Sequence, residues 1–528
     1  MSAVAEVSVQ KSVDNVYDVL NYPSNSFAVT HIGRLAAIGR LFGMDTVNPT
    51  KARVLELGCG TGINLLSMAQ LFPDARFIGV DLSQSQMEIA QQAAKAAGLE
   101  NAQFLHADVC ELEEGLGRFD YIISHGVYSW IPDATKEALL TVNKKHLAAN
   151  GIAYVSYNCL PGWKMRGALR DMMLMHTGAI RDGAEKVNQA KALLGFLSSA
   201  CNQDSPYGKF LSDELKILLA CEDAYIAHEF LEEDNDAFYF MDFHRQAAKA
   251  NLFYLGDAQA ATMMMADIPK EAQATFAQLK GNLAATEQYL DFLRNRTFRC
   301  SLLCHPGQPI ERDIKPGKIA DFLVVSEMRM KTVAEENSRV VFLAKDGSEV
   351  TVNDPVTARV FEAVVMNGKI PVEVLIDSLI EAIGAMVPNA TEEGVREAIA
   401  KVLLRGYFST LIDFYMSDHA LPVAPEGKPQ ALPLARWQAA QNLRVSNDRL
   451  EMSKAEGLIK EILLYCDGTR TREDLVAVIA NAAEGGQLSF KEKEQTITDP
   501  IKIKKLSEEL LDKSLQQLRH QGILYPGS

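Results

Sequence analysis

The sequence predicts an α/β fold: a doubly wound, mainly parallel sheet near the N-terminus, then a helical middle domain, then a winged-helix-like C-terminal region. Three observations carry this expectation. Between residues 50 and 160, five apolar runs (ARVLELG, ARFIGVD, AQFLHAD, FDYIISH and GIAYVSY) alternate with helix-period stretches such as SQSQMEIAQQAAKAAG; strands alternating with helices build a parallel sheet. From about 165 to 300 the periodicity is helical, as in MRGALRDMMLMHT and TEQYLDFLRNR. Nearer the C-terminus, FEAVVMNGKIPVEVLIDSL from Phe361 resembles EILLYCDGTRTREDLVAVI from Glu461, with Gly368, Glu373 and Leu375 matching Gly468, Glu473 and Leu475. Each copy ends in a helix followed by a short strand, a winged-helix-like order.

The 528 residues suggest about three domains, placed at 1–165, 166–300 and 301–528, the last holding two winged-helix-like units. Short strand-like pieces such as FRCSLLCH and SRVVFLAK mark the change of character near 300, and the Pro-rich LPVAPEGKPQALPL (421–434) reads as a linker or extended arm. The 48% hydrophobic content is that of a globular chain. The 53 basic and 68 acidic residues leave a net charge of −15, which argues against nucleic acid as partner and favours protein contacts for the winged-helix-like units. No signal-peptide pattern and no membrane-length apolar run occur, so a cytoplasmic protein is expected. The eight cysteines are scattered, as reduced thiols are. Cys300, Cys304 and His305 lack a second ligand pair, so no metal is expected.

The sharpest local signal is VLELGCGTG, Val54 to Gly62. An apolar run ends in Glu56, and Gly58, Gly60 and Gly62 lead into a helical pattern. Glycine suits a tight turn whose backbone must approach a ligand. Asp81 ends the next run and is placed to accept hydrogen bonds from both hydroxyls of an adenosine ribose; Asp108 ends the third and is placed to accept from an adenine amino group. Their neighbours Leu82 and Val109 complete the expected cofactor set. Each acid alone reads equally well as a helix N-cap; an acid closing three successive strands reads better as a binding site. The third glycine follows the second by two residues, whereas a dinucleotide fingerprint needs three for its pyrophosphate.

These residues resemble the first motif of class I S-adenosylmethionine-dependent methyltransferases. YDVLNYPSNSFAVTHIGRLAAIGRLFG (17–43), HGVYSWIP, YNCLPGW and EFLEEDNDAFYFMDF from Glu229 extend the likeness to bacterial methyltransferases with a methyltransferase regulatory domain, similar to the lysine methyltransferases acting on rickettsial outer-membrane protein. The resemblance implies a Rossmann-like class I methyltransferase domain, S-adenosyl-L-methionine as cofactor, and a protein acceptor presenting a lysine side chain. A small-molecule acceptor and a non-catalytic cofactor-sensing regulator are the alternatives, and a homodimer is left open. Tyr128, Trp130 and Tyr157, with Trp163 and an N-terminal lid carrying Tyr22 and His31, form the expected aromatic surroundings of the transferred methyl; aromatic faces attract sulfonium and ammonium cations. His125, closing the fourth run, and His31 of the lid are expected to touch the cofactor. HGVYSW stands where many adenine and glutamine N-methyltransferases carry Asn-Pro-Pro-Tyr, which argues against that class.

Overall fold

The computed structural model describes residues 25–528 apart from 113, 233, 266, 280, 332–338, 388–389, 417–422 and 493–494. The chain opens with helix α1 (Ile32–Leu41) and then enters the sheet through β1 (Arg53–Leu57), α2 (Ile63–Ala69), β2 (Arg76–Asp81), α3 (Gln84–Ala96), β3 (Ala102–His106), β4 (Phe119–Ser124), α4 (Asp133–His146) and β5 (Leu147–Cys159). The five apolar runs of the sequence are these five strands. They pair in parallel, with β1 between β2 and β4. The order reverses between β1 and β4, and open α/β sheets bind ligands at the carboxyl ends of strands beside such a reversal.

The middle of the chain is largely helical, as expected, and it also returns strands to the sheet. Helices α5 (Trp163–Thr177), α6 (Gly183–Ala200), α7 (Pro206–Leu219) and α8 (Asp223–Phe230) form an insert with its own apolar cluster around Leu169, Leu194, Leu211 and Phe230. The chain then returns to the sheet through β6 (Ala237–Phe238), α9 (Phe240–Lys249), β7 (Phe253–Asp257), α10 (Lys270–Gln278), α11 (Leu283–Arg294) and β8 (Phe298–Cys304). The sheet order is β3-β2-β1-β4-β5-β8-β7, with β6 beside β5. β8 runs antiparallel to both β5 and β7. FRCSLLC, read as the start of the C-terminal region, is therefore an interior strand of the first domain, and the boundary expected near 300 falls inside the sheet. Its alternation was hidden because both faces are covered: Arg299, Cys300, Ser301, Leu302, Leu303 and Cys304 are all buried, the condition under which strands lose their polar–apolar period.

The C-terminal repeat is a repeat of structure. In the first copy β9 (Leu323–Val325) pairs with β13 (Ile370–Pro371) and β14 (Asp413–Tyr415), around helices α12 (Pro355–Asn367), α13 (Val372–Gly384) and α14 (Glu392–Phe408); between β9 and α12 in the chain, β10 (Arg329–Lys331), β11 (Val340–Leu343) and β12 (Glu349–Val352) form a three-stranded antiparallel sheet. In the second, Gln430 and Ala431 bridge to Asp467 and Leu524, around α16 (Gly457–Tyr465), α17 (Arg472–Glu484) and α18 (Pro500–His520), with α15 (Pro433–Ala440) preceding them. Part of the Pro-rich arm is thus an edge of the second unit. The two matched glycines both have positive φ, +65° for Gly368, which caps α12, and +78° for Gly468, two residues past the cap of α16, a conformation that costs a Cβ-bearing residue energy.

The units are not appended beads. Leu65 of α2 and Phe72 just after it share one apolar cluster with Leu434, Leu463 and Leu518, and the Leu434 amide donates to Gln70 Oε1 at 3.1 Å. Helix α1 faces both ways: Ile32 and Leu35 enter that cluster, whereas Ala37 and Leu41 enter the core of the first winged-helix-like unit. No helix among the described residues is long and apolar enough to cross a membrane.

Candidate active site

A cavity of about 340 Å³ lies at the carboxyl ends of β1, β2 and β4, bounded by Glu56, Gly58, Gly60, Asp81, Leu82, Asp108, Val109 and His125. The turn after β1 is held from below, where the amides of Gly58 and Cys59 both donate to the Val80 carbonyl (2.8 and 3.2 Å). Gly58 and Gly60 have φ of +71° and +52°, a region that disfavours branched side chains. Asp81 spans the turn: one carboxylate oxygen accepts from the Gly60 amide at 2.8 Å and the other from the Ser83 amide at 3.0 Å. Burial raises the Asp81 carboxyl above its ordinary value despite those bonds. Asp108 lines the cavity and also caps a short 3₁₀ turn through Cys110 N (2.8 Å).

Glu56 carries the best evidence of a ligand. Its Oε1 accepts from Asn64 Nδ2 at 2.7 Å, while its buried Oε2 has no hydrogen-bond partner among the described residues. Burial, opposed by Asn64 and reinforced by the Asp81 charge, pushes its carboxyl up to about 8. A cationic ligand group beside Oε2 would reverse that shift, and the α-ammonium of an amino-acid cofactor is such a group. A folded-state value above the unfolded one means that the native chain holds the proton more tightly. Stability is therefore lost as pH rises from about 4.5 toward 8. Glu56→Gln should remove this dependence. In thermal denaturation without cofactor, its advantage over wild type should grow from pH 5 to pH 8, by on the order of 1 kcal/mol per pH unit, while its cofactor affinity falls. A constant difference across that range would count against the buried acid.

Several expected residues lie elsewhere. Gly62 caps α2 and faces away from the cavity: a Cβ there would stand 2.5 Å from the Phe104 ring and 2.9 Å from Ala90 Cβ, so this glycine lets α2 pack closely on its neighbours. His31 does not line the cavity. Its ring caps α1, accepting from Gly33 N at 3.1 Å, and packs edge-on against Tyr415 and Phe72. Tyr128 and Tyr157 do not surround the methyl position either. Tyr157 stacks on Phe243 with centroids 4.2 Å apart and shares a hydrogen bond with Ser301 Oγ (3.1 Å), and the Tyr128 hydroxyl donates to Gln246 Oε1. Both rings are fully buried. Trp163 stacks on Phe230 of α8. Among the described members of the aromatic set, only Trp130 reaches the cavity. Tyr22 lies outside the described residues.

His125 lines the cavity and shares a 2.7 Å hydrogen bond through Nδ1 with the Tyr154 hydroxyl, under the Phe27 ring at 3.9 Å. Burial drives its basicity down to about 3, so the ring is neutral. Among the described residues, no three His, Cys, Asp or Glu side chains are grouped to hold a metal ion. Cys300 and Cys304 are buried in β8, and His305 bonds Lys144 Nζ (2.7 Å) and the Leu147 carbonyl (3.1 Å).

Sequence reasoning missed Asn64, Phe27 and His228. Asn64 ties the turn to the N-terminal segment, its Oδ1 accepting from Phe27 N (2.9 Å) and Thr30 Oγ1 (3.0 Å). The signal was present: one amide in the mostly apolar INLLSMA helix. Phe27 borders this cavity and a second one, of about 930 Å³, walled by the segment from Asn25 and both winged-helix-like units. His228 arrives from α8, more than a hundred and fifty residues beyond the glycine turn, and no local pattern marked it.

Comparison with known proteins places this geometry. Residues 54–151 match a methyltransferase domain, 222–305 a predicted methyltransferase regulatory domain, and 427–523 a PKMT C-terminal winged helix domain. An uncharacterised protein of Rickettsia prowazekii is 32% identical over 526 residues, covering 97% of this chain and 94% of its own. The chain is a class I S-adenosylmethionine-dependent methyltransferase with a methyltransferase regulatory domain. PKMT2 from Rickettsia typhi superposes on this methyltransferase with a TM-score of 0.84 at 30% identity, covering 95% of this chain and 99% of that one, and it is also known in complex with AdoHcy. The cavity of this methyltransferase fits such a cofactor: two acids with buried oxygens, a glycine turn open to it, and apolar walls.

Proposed function

We propose that this methyltransferase transfers methyl groups to lysine side chains of a protein. The carrying observation is the second cavity, which meets the cofactor cavity at Asn25 and Phe27 and is lined by Glu327, Lys345, Lys369, Arg449 and Glu451 of the C-terminal units. A large cavity with charged side chains in its lining, sharing Asn25 and Phe27 with the cofactor cavity, suits a polypeptide that projects one side chain inward. An enclosed apolar pocket with a few fixed polar groups would suit a metabolite. The likeness to PKMT2 supports the same reading. Glu56, Gly58, Gly60, Asp81, Leu82, Asp108, Val109 and His125 are the cofactor contacts in this scheme. The cofactor, when bound, supplies an electrophilic methyl on a sulfonium sulfur. Trp130 would offer its ring face to the cationic centre, and placement supplies much of the rate of an in-line displacement.

Incubating a bacterial lysate with the enzyme and labelled cofactor, then separating protein from small molecules, tests the proposal. Label should appear on lysine in the protein fraction by mass spectrometry. Label confined to the low-molecular-weight fraction would defeat it. Trp130→Ala should lower kcat about tenfold while the affinity for S-adenosylhomocysteine, measured by calorimetry, changes little.

A further inference from the structure

The two cavities that meet at Asn25 and Phe27 carry opposite charge. The cofactor cavity is lined by three acids, Glu56, Asp81 and Asp108, and by no Lys or Arg among the described residues. The described lining of the second cavity holds six Lys and Arg against three Asp and Glu. The chain as a whole has a net charge of −15, so a cationic lining runs against its composition.

The three acids of that lining are engaged internally. Glu327 is paired with Lys345 (2.6 Å) and Arg449 (3.2 Å). Glu451 is paired with Arg449 (3.2 Å) and with Lys345, and Asp448 with Lys369 (3.0 Å) and Arg449 (3.5 Å). These pairs tie the first winged-helix-like unit, which supplies Glu327, Lys345 and Lys369, to the second, which supplies Asp448, Arg449 and Glu451. Arg329 of β10 and Arg444, between α15 and α16, are left with no carboxylate partner among the described residues, and both are exposed. Arg444 Nη2 donates to the Met452 carbonyl at 2.8 Å, a neutral acceptor that positions the guanidinium and leaves its charge in place. Arg519, on the last turn of α18, also lines the cavity and donates from Nε to a Ser528 oxygen. Two exposed arginines alone would be ordinary surface. These two border a cavity that opens toward the cofactor site and is opposite to it in sign, one from each unit.

We infer that the acceptor is an acidic polypeptide: a lysine set among Asp and Glu, whose carboxylates lie against Arg329 and Arg444 while its ammonium enters beside the acids of the cofactor cavity. This rests on the lysine reading above and narrows it. A guanidinium presents a planar fork of donors that matches a carboxylate, and complementary potentials speed encounter and reject partners of the wrong sign. A nucleic acid would satisfy the arginines but has no cation to offer the acids beyond them. Both winged-helix-like units are then needed to bind the acceptor, because each contributes one of the unpaired arginines.

Fluorescent peptides of equal length test the inference on the full-length enzyme with S-adenosylhomocysteine bound. One carries a lysine flanked by Asp and Glu, the second the same lysine flanked by Asn and Gln, and the third a lysine flanked by Arg. By fluorescence anisotropy the acidic peptide should bind about tenfold more tightly than the neutral one, with the basic peptide weakest. The margin should shrink as salt is raised from about 0.05 to about 0.5 M. The double variant Arg329→Glu, Arg444→Glu should weaken the acidic peptide by about tenfold and strengthen the basic one. Its affinity for S-adenosylhomocysteine, measured by calorimetry, should match that of the wild type. If that variant does not fold, Arg329→Gln and Arg444→Gln should each weaken the acidic peptide by about threefold. Equal affinity for the acidic and neutral peptides overturns the inference, and so do variants that bind the acidic peptide as the wild type does. An oligonucleotide of the same charge that binds as tightly as the acidic peptide also overturns it, since the cavity would then take any polyanion. A wild-type enzyme that labels no lysine in a lysate defeats the lysine reading itself, a result separate from every peptide measurement, and the inferred acceptor falls with it.

Discussion

Replacing Arg299 with methionine should destabilise the protein by on the order of 3–5 kcal/mol, the scale for removing one partner of a buried ion cluster. Arg299 is fully buried on β8. Its Nε and Nη2 donate to Asp291 at 2.8 and 2.9 Å, its Nη2 donates to Glu287 at 2.9 Å, and its guanidinium lies 4.2 Å from the Phe240 ring centroid. Asp257 stands 3.7 Å away and is shared with Arg296 at 2.8 Å. The cluster joins β7, β8 and α11, so it holds the antiparallel edge of the catalytic sheet to its covering helix. Methionine fills similar space but leaves two carboxylates, Glu287 and Asp291, without their main cation; the cost is that of uncompensated buried charge. Arg299→Lys should recover little, because one ammonium cannot reproduce a fork that bonds two carboxylates in one plane. The triple variant Arg299→Met, Glu287→Gln, Asp291→Asn should regain part of the loss. Denaturant unfolding measures all three, and a loss below about 1 kcal/mol for Arg299→Met would mean that the cluster is tolerated rather than required.

The second large effect is expected at Gly60. Gly60→Val should abolish measurable S-adenosylhomocysteine binding while leaving a folded protein. The φ of +52° strains a branched residue, and an added Cβ would sit 2.9 Å from Gln86 Oε1 on the side that faces the cavity. Asp81→Ala should weaken binding by about 1–3 kcal/mol, the loss expected when a buried hydrogen-bonding partner is removed. The structure adds that Asp81 also holds the Gly60 amide. The two changes therefore disturb one turn. Calorimetry decides the matter. Near-native affinity in both variants would remove the turn from the cofactor site.

How much of this site was legible depended on sequence distance. Glu56, Gly58, Gly60, Asp81 and Asp108 lie within about fifty residues and close consecutive strands, so period and punctuation alone brought them to one edge. The aromatic candidates failed for a different reason. Tyr157 was read correctly as a strand residue, but which face of β5 borders the cavity is set by what packs beneath it. The α9 residue Phe243 takes that ring into the core. Trp163 likewise anchors α8 through Phe230. His31 spends its ring on a helix cap.

The sequence by itself determined the parallel sheet, the glycine turn with its strand-end acids, the cofactor class and the existence of a C-terminal repeat. Each of these is written in local periodicity or in residues a few positions apart. Only the tertiary structure decided that β7 and β8 close the catalytic sheet, that α1 is buried in two cores at once, and that His228 stands beside the cofactor cavity. Those features depend on contacts between segments well separated along the chain, such as β5 with β8. There the choice among many apolar partners is made by shape and burial, as when Tyr157 of β5 bonds Ser301 of β8. No period along the chain encodes that choice.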